Sequence, residues 1–499
     1  MNYESTRGNS PAVSSAEAIK LGIAPDGGLF VPEKNTTLSQ QEILDLVPLS
    51  YTGRALAILK PYLTDFTEGE LLECVEAAYG GGKFDSVDVA PVKLLTPDLS
   101  ILELWHGPTC AFKDMALQIL PQFLVRAVTK TSEKAQIVIL VATSGDTGKA
   151  ALDGFADVKG TSIIVFFPQE GVSEVQRMQM VTQEGKNVSV IAVKGNFDDA
   201  QSGVKQVFGD KDFNAKLNSE GLSLSSANSI NWGRLVPQIV YYFSAYADLL
   251  KTGAINDGER INFVIPTGNF GNILAGYYAR VMGLPINRLI CAANANNVLT
   301  DFIRTGTYNR NRDFLKTNSP SMDILISSNL ERLLYEITGR NAEKIRQWMN
   351  LLKDEGAYTV DPETMELITS VFWSDFADDR ETLETIKDVW EQHNYLMDTH
   401  TAVAVNVLEK YRTSTGDTTK AVIASTASPF KFNESVARAI MGSEAILGKT
   451  DFELLNDLAS FTGWQVPRGL RGLDQRPVLH QEVTGKGQIG EAVKKVLLP

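Results

Sequence analysis

Gln136-Ile-Val-Ile-Leu-Val-Ala-Thr-Ser-Gly-Asp-Thr-Gly148 is the stretch that decides the fold. A run of β-branched and apolar residues passes without a break into a Ser/Gly/Asp/Thr turn, and a helical pattern starts at Lys149. A continuous apolar run bounded by turn signals reads as a strand buried on both faces. The same design recurs twice. Ile261–Ile265 leads into Pro266-Thr-Gly-Asn-Phe-Gly-Asn272 and a helix through Tyr277 and Arg280, and Ala421–Ser425 leads into Thr426-Ala-Ser-Pro429. Ser162–Phe167 and Val188–Val193 are further strand candidates, with a helical segment through Glu174, Met178 and Val181 between them. Strands alternating with helices predict an α/β protein with open, mainly parallel sheets. Ligands bind such sheets outside the carboxyl ends of the strands, so the three loops predict one shared cleft.

Residues up to about Lys83 read as helical segments around a tight turn at Asp26-Gly27-Gly28, and the Gly80-Gly81-Gly82 triplet breaks the chain. Leu330 to about Arg412 reads as mostly helical from the spacing of Leu333, Leu334, Ile337 and of Leu383, Ile386, Val389, Trp390. The expected division is a mainly helical N-terminal domain over 1–85, a larger α/β domain from 86–118 and 225–499, and a smaller one over 119–224.

A chain of 499 residues exceeds what one simple core organises. With 43% hydrophobic and 21% charged residues it should fold throughout. The net charge of −13 argues against nucleic acid or an anionic membrane as partner, so an anionic substrate needs a locally positive pocket. Cys74, Cys110 and Cys291 are far apart and cannot all pair within one chain, which points to a reducing, cytoplasmic setting. The N-terminal stretch lacks a signal-peptide layout and no apolar run approaches a membrane span. The four histidines form no metal-type pair, so no metal is expected, and His106 and His400 read as packing residues. Monomer and dimer are both compatible with the sequence.

The densest chemical signal is His106-Gly-Pro-Thr-Cys-Ala-Phe-Lys-Asp114, in which a lysine follows a Gly-Pro turn and opens a helix-like stretch. A lysine attacks an aldehyde when desolvation or a nearby cation lowers its pKa. A solvated surface lysine fits the same spacing, and spacing alone favours it. Ser144-Gly-Asp-Thr-Gly148 sits where a strand hands over to a helix, which suits an anion, although capping by Ser144 or Asp146 explains it equally well. Gly268-Asn-Phe-Gly-Asn272 has more of the character of a phosphate cradle but matches neither GxGxxG nor GxxxxGK[ST]. An ordinary turn remains open there.

Taken together these segments resemble the fold type II pyridoxal-phosphate enzymes, and more closely the threonine synthases of bacteria and fungi. The likeness runs through Gly22–Pro32, His106–Asp114, Thr143–Gly148, Asn228–Trp232, Gly268–Asn272, Ser328–Leu333, Asp398–Ala402 and Val466–Leu470, in the family's order. The resemblance implies two α/β domains with a helical N-terminal segment, and Lys113 as the catalytic, cofactor-bearing residue. It implies that Gly268, Asn269, Phe270, Gly271 and Asn272 hold the cofactor phosphate, that Thr426 faces the pyridine nitrogen, and that Asp146 flanks the ring hydroxyl. Ser144, Gly145 and Thr147 would bind the substrate carboxylate, with Asn228, Ser229, Asn231 and Arg234 lining the substrate pocket. The implied reaction turns O-phospho-L-homoserine and water into L-threonine and phosphate, with pyridoxal 5'-phosphate as cofactor. The alternatives are a dehydratase or phospholyase of the same fold, or a non-catalytic descendant that binds a phosphometabolite. Where the family usually reads Thr-Ala-His-Pro-Ala-Lys-Phe, this chain reads Thr426-Ala-Ser-Pro-Phe-Lys-Phe432. Ser428 and Phe430 therefore bear on substrate choice, and Thr426 is unaffected.

Overall fold

A computed structural model describes residues 1–132, 134–170 and 172–498. At the N-terminus β1 (Asn2–Ser5), β2 (Val13–Ser14) and β3 (Phe30–Pro32) form a small antiparallel sheet, which the helical expectation for this region missed. Four helices accompany it, at Ser15–Leu21, Gln40–Leu44, Tyr51–Leu59 and Glu68–Tyr79. The region is anchored through Trp232, whose ring centroid lies 5.4 Å from Tyr3, 5.6 Å from Tyr62 and 5.4 Å from Tyr278. Rings meeting at such tilted and edge angles add to the burial of each.

The larger sheet contains β4 (Val92–Thr96), β5 (Leu99–Glu103), β10 (Ile261–Pro266), β11 (Ile286–Ala293), β14 (Phe372–Phe376) and β15 (Ala421–Ser425). Their order is β14-β11-β10-β15-β5-β4, parallel throughout except for the β4–β5 hairpin. The smaller sheet has β6 (Gln136–Ala142), β7 (Thr161–Pro168), β8 (Val188–Lys194), β9 (Leu222–Ser225) and β16 (Glu482–Gly485), all parallel, in the order β16-β8-β7-β6-β9. A two-stranded ribbon, β12 (Thr307–Asn309) with β13 (Ala357–Thr359), lies outside both.

The unbroken apolar run of β6 is explained by its two buried faces. Val138 and Leu140 pack in a separate cluster with Ile164, Ile191, Ile489 and Val493, whereas Ile137, Ile139 and Val141 join the main core. Side chains of a strand alternate between faces, so a strand covered on both sides must be apolar at every position.

Two expectations need correction. Phe372–Phe376, placed within a mostly helical stretch, is an edge strand of the larger sheet, and it follows the helix Pro362–Val371 with no turn residue between them. The C-terminal residues, expected with the larger domain, return to the smaller sheet: β16 pairs with β8, and the helix Ile489–Leu497 covers its outer face. No helix among the described residues is long and apolar enough to cross a membrane.

Candidate active site

The loops after β10 and β15 rise from the larger sheet, and the loop after β6 from the smaller one. The loops after β6 and β15 bring Asp146 and the Thr426 backbone to the Lys113 segment, and the loop after β10 lies against Ser321, which contacts Lys113. This lysine is placed by a zipper between two segments: Cys110 O accepts from Ser428 N at 3.0 Å, Phe112 N donates to Thr426 O at 2.8 Å, and Ala111 bridges Ala427. The turn is locked from within, because Thr109 donates to Asp114 through its backbone N–H at 2.8 Å and its hydroxyl at 2.7 Å. Burial and then the nearby Asp153 charge push the Asp114 carboxyl up to about 7.

The Lys113 ammonium position lies 3.5 Å from Asp146 Oδ2 and 3.5 Å from Ser321 Oγ, with its side chain only 12% exposed. Burial lowers its pKa; Lys431 and Arg234 lower it further, and Asp146 opposes them. Asp146 opens the helix Asp146–Phe155 and is the hub of the site. Its Oδ1 meets Lys431 Nζ at 2.7 Å and accepts from Gln176 Nε2 at 2.9 Å, while Oδ2 accepts from Ser321 Oγ at 3.0 Å. Burial alone would raise this carboxyl, but Lys431 and Lys113 outweigh it and hold it well below the usual carboxylate range. Gly145 is required just before it. With φ at 139° and an added Cβ falling 2.6 Å from the Gln176 amide, the position excludes any side chain.

The loop after β10 is built differently. Phe270, in the left-handed region at φ 63°, starts the helix Gly271–Val281 and supplies no side-chain cap, so the first-turn N–H groups face outward without one. Asn272 accepts from Tyr241 OH at 2.5 Å and Tyr242 OH at 2.8 Å, and its Nδ2 is buried without a partner. The loop is held from behind by Ser327 Oγ, donating to Gly268 O at 2.7 Å, and by Asn329, donating to Asn269 O at 3.1 Å through both N and Nδ2. Arg332, fully buried, fixes Asn329 Oδ1 at 2.6 Å and also donates to Phe30 O and Ile230 O. Gly268 cannot carry a Cβ comfortably, since one would sit 3.2 Å from Ser321 O and 3.3 Å from Met322 Cα.

The family-model description "Threonine synthase N terminus" matches residues 2–79, "Pyridoxal-phosphate dependent enzyme" matches 92–368, and "Threonine synthase, C-terminal" matches 401–494. The threonine synthase of Pseudomonas aeruginosa is 40% identical over 90% of this chain and 92% of its own length. The chain belongs to the threonine synthase family. Human threonine synthase-like 1 is 41% identical over 85% of this chain, and this chain spans 58% of that protein's length. The pyridoxal-phosphate-bound threonine synthase of Brucella melitensis superposes over 100% of both chains with a TM-score of 0.88 at 37% identity.

Membership of this family makes pyridoxal phosphate the cofactor, and the residues present fit it. An amine that resists protonation, a helix start whose donors have no protein cap, and an orphaned amide nitrogen on Asn272 suit an aldehyde and a phosphate. Around this threonine synthase fold the remaining candidates divide. Ser144 is exposed at the loop tip beside half-buried Thr147, and the helix start there favours a carboxylate. Thr426 is buried at the end of β15, its carbonyl taken by Phe112. Ser229 Oγ lies 3.4 Å from Asn329 Nδ2, beside the glycine loop, and Asn228 is exposed. Arg234 is buried, its Nη1 donates to Ala227 O at 2.7 Å, its Nε has no partner, and burial lowers it to about 10. Asn231, expected to line the pocket, instead donates to Ile19 O at 2.9 Å and caps the helix Trp232–Lys251 by accepting from Gly233 N at 2.9 Å. Both ends of its amide are engaged.

Lys431, Gln176 and Ser321 near Lys113 escaped sequence reasoning, and His400, read there as a packing residue, joins them. His400 Nε2 accepts from Ser321 N at 3.1 Å, so its proton sits on Nδ1, donated to Asp398 Oδ1 at 2.7 Å. The carboxylate of Asp398 also accepts from the Thr401 hydroxyl, whose oxygen in turn accepts from Ser425 Oγ at 3.0 Å. The short helix Pro320–Met322 is thereby positioned by a chain of buried hydrogen bonds. The only available signal was Asp398-Thr-His-Thr-Ala402, a quoted family segment to which no role had been attached.

Proposed function

We propose that the chain converts O-phospho-L-homoserine and water into L-threonine and phosphate. The observation that carries this reading is Arg234, a buried guanidinium with an unpartnered Nε that lies close enough to Lys113 to lower it. A buried guanidinium with an unmet donor and no carboxylate beside it is unfavourable unless an anion joins it. A substrate phosphate supplies that anion.

In this reading Lys113 carries the cofactor and then, as a free amine, takes and returns protons at the substrate carbons. Pyridoxal phosphate supplies an electron sink for the charge that develops next to the substrate nitrogen. Loss of a proton from Cα and then Cβ lets the γ-phosphate leave, Cγ gains a proton, water adds at Cβ, and Cα is reprotonated. Ser144, Gly145 and Thr147 orient the substrate carboxylate at a helix start, while Arg234 and Ser229 hold the phosphate. Gly268 to Asn272 would hold the cofactor phosphate, with Thr426 to meet the ring nitrogen and Asp146 to meet the ring hydroxyl.

The domain division 1–85, 86–118 with 225–499, and 119–224 is proposed with one amendment, residues 482–497 going to the smaller unit. Three free, buried cysteines support a cytoplasmic, reducing setting. A second reading, a phospholyase or dehydratase on a related small substrate, is favoured by one observation: Ser428 and Phe430 stand where the family usually has His and Ala.

Product analysis in heavy water tests both. Threonine with deuterium at Cα and in the methyl group is expected, with the Cβ hydrogen inherited from substrate. 2-Oxobutyrate as the main product, or a methyl group free of deuterium, would overturn the threonine-forming route.

A further inference from the structure

Lys431 is the least explained charge near the active site. It lies in the one-turn helix Pro429–Phe432 that follows β15, and its side chain is fully buried. A lysine is placed there only when its ammonium is compensated. Two contacts compensate it, Asp146 Oδ1 at 2.7 Å and Thr109 O at 2.9 Å. The first belongs to the carboxylate that faces Lys113, and the second to the turn that carries Lys113.

Asp146 thus stands between two lysines, and the distances are unequal. Lys431 approaches Oδ1 to 2.7 Å, whereas Lys113 stays 3.5 Å from Oδ2. An unshared buried carboxylate at that distance would hold Lys113 protonated, because a nearby negative charge favours the ammonium. A protonated lysine neither attacks an aldehyde nor accepts a proton. The other groups facing Lys113 do not cancel the carboxylate at close range. Ser321 is neutral, His400 behind it is turned toward Asp398, and Arg234 reaches from the helix Trp232–Lys251 without a contact to Asp146.

We propose that Lys431 is a positioning residue for the Lys113 chemistry, cancelling the field of Asp146 at Lys113 so that the amine is neutral near neutral pH while Asp146 stays ionised. The proposal rests on the reading that Lys113 carries the cofactor, but it concerns the protonation of this chain's own residue. The lowering of Lys113 by burial, Lys431 and Arg234 against Asp146 agrees with it. Lys431 also keeps Asp146 in one orientation, which leaves Oδ2 for Ser321 and Lys113.

The test is competitive acetylation on the full chain, freed of cofactor with hydroxylamine. Acetic anhydride modifies neutral amines, so labelling of the Lys113 peptide against pH, followed by mass spectrometry, reads its titration directly. Lys431→Met is expected to move the midpoint up by about one pH unit or more, a roughly tenfold smaller neutral fraction at any pH well below both midpoints. Lys431→Arg is expected to restore the wild-type midpoint. If Lys431→Met does not fold, the double variant with Asp146→Asn removes both buried charges. Its midpoint is expected to return close to wild type, because field and counter-field vanish together. An unmoved midpoint in folded Lys431→Met, or a double variant displaced as far upward as expected of Lys431→Met alone, overturns the proposal. Borohydride reduction with pyridoxal phosphate runs in parallel. An adduct on another lysine would sink the cofactor reading, while the acetylation midpoints still decide the role of Lys431.

Discussion

Two loops of the same design sit on either side of Lys113, and they are finished in opposite ways. After β6, Thr143 Oγ1 accepts from Gly145 N at 3.0 Å and Gly148 N at 2.9 Å, and Asp146 is surrounded by protein donors. After β10, the helix begins uncapped at Phe270 and Asn272 Nδ2 is buried without a partner. One turn is satisfied by the protein itself and is therefore a rigid support. The other leaves its donors for something that binds. Buried polar groups are nearly always paired, so an unpaired set in a well-packed protein marks a ligand position.

Substitutions can break this comparison. The largest effect is expected for Lys113→Ala, where both loops converge: turnover should fall by at least roughly 1000-fold, measured as phosphate release, with no covalent cofactor adduct. Thermal stability should hold, because the Lys113 amine makes only long contacts, at 3.5 Å to Asp146 and 3.5 Å to Ser321. Next comes Gly145→Ala in the self-satisfied loop. The positive φ and the collision with Gln176 should lower stability by about 2–4 kcal/mol, seen in Tm with or without cofactor. Gly268→Ala in the open loop should act otherwise: Tm of the cofactor-free chain falls less than in Gly145→Ala, while cofactor Kd rises by roughly tenfold in a fluorescence titration. If Gly145→Ala altered only Kd, or Gly268→Ala only Tm, the two loops would not differ as described.

The smallest effect sharpens the turn between them. Asp114 has a folded pKa of about 7, above its ordinary 3.8, so the folded chain keeps a proton that the unfolded chain has already released between those values. Stability from this group is present below about pH 4 and is lost as pH rises through 7. Asp114→Asn can keep both Thr109 contacts without the charge. Between pH 5 and 8 it should therefore gain stability relative to wild type, on the order of 1–3 kcal/mol in paired urea titrations. A gap independent of pH would mean that Asp114 ionises normally.

Strands β6, β10 and β15 were legible because each is a short apolar run ending in turn residues. β14 was not, since Phe-Trp-Ser-Asp-Phe is too short and too polar to stand out from the helices around it. The same limit governs the site. Lys113 is marked by its motif, and the glycine loop by its composition. Ser321 lies in a single helical turn, Pro320–Met322, and reaches Lys113 across 208 positions and Asp146 across 175. Nothing local encodes such contacts. Lys431 carries no local mark within Thr426–Phe432, because its burial is decided by the smaller sheet placing Asp146 against it. Asn231 misled in the other direction: a polar residue in a family segment read as pocket lining, whereas the helix behind it needed a cap.

The pairing of β16 with β8 has a consequence for how the molecule is made. Emerging from the ribosome, β6 to β9 can assemble early, but the flank of β8 that receives Glu482–Gly485 must wait until the whole larger sheet has been synthesised. During that interval an open, parallel, apolar edge is exposed, the kind of surface that recruits other nascent chains. Cells that make this protein quickly should therefore accumulate aggregates before they accumulate inactive enzyme. A chain ending before Glu482 would keep every residue proposed here for chemistry and still be a poor candidate for soluble expression.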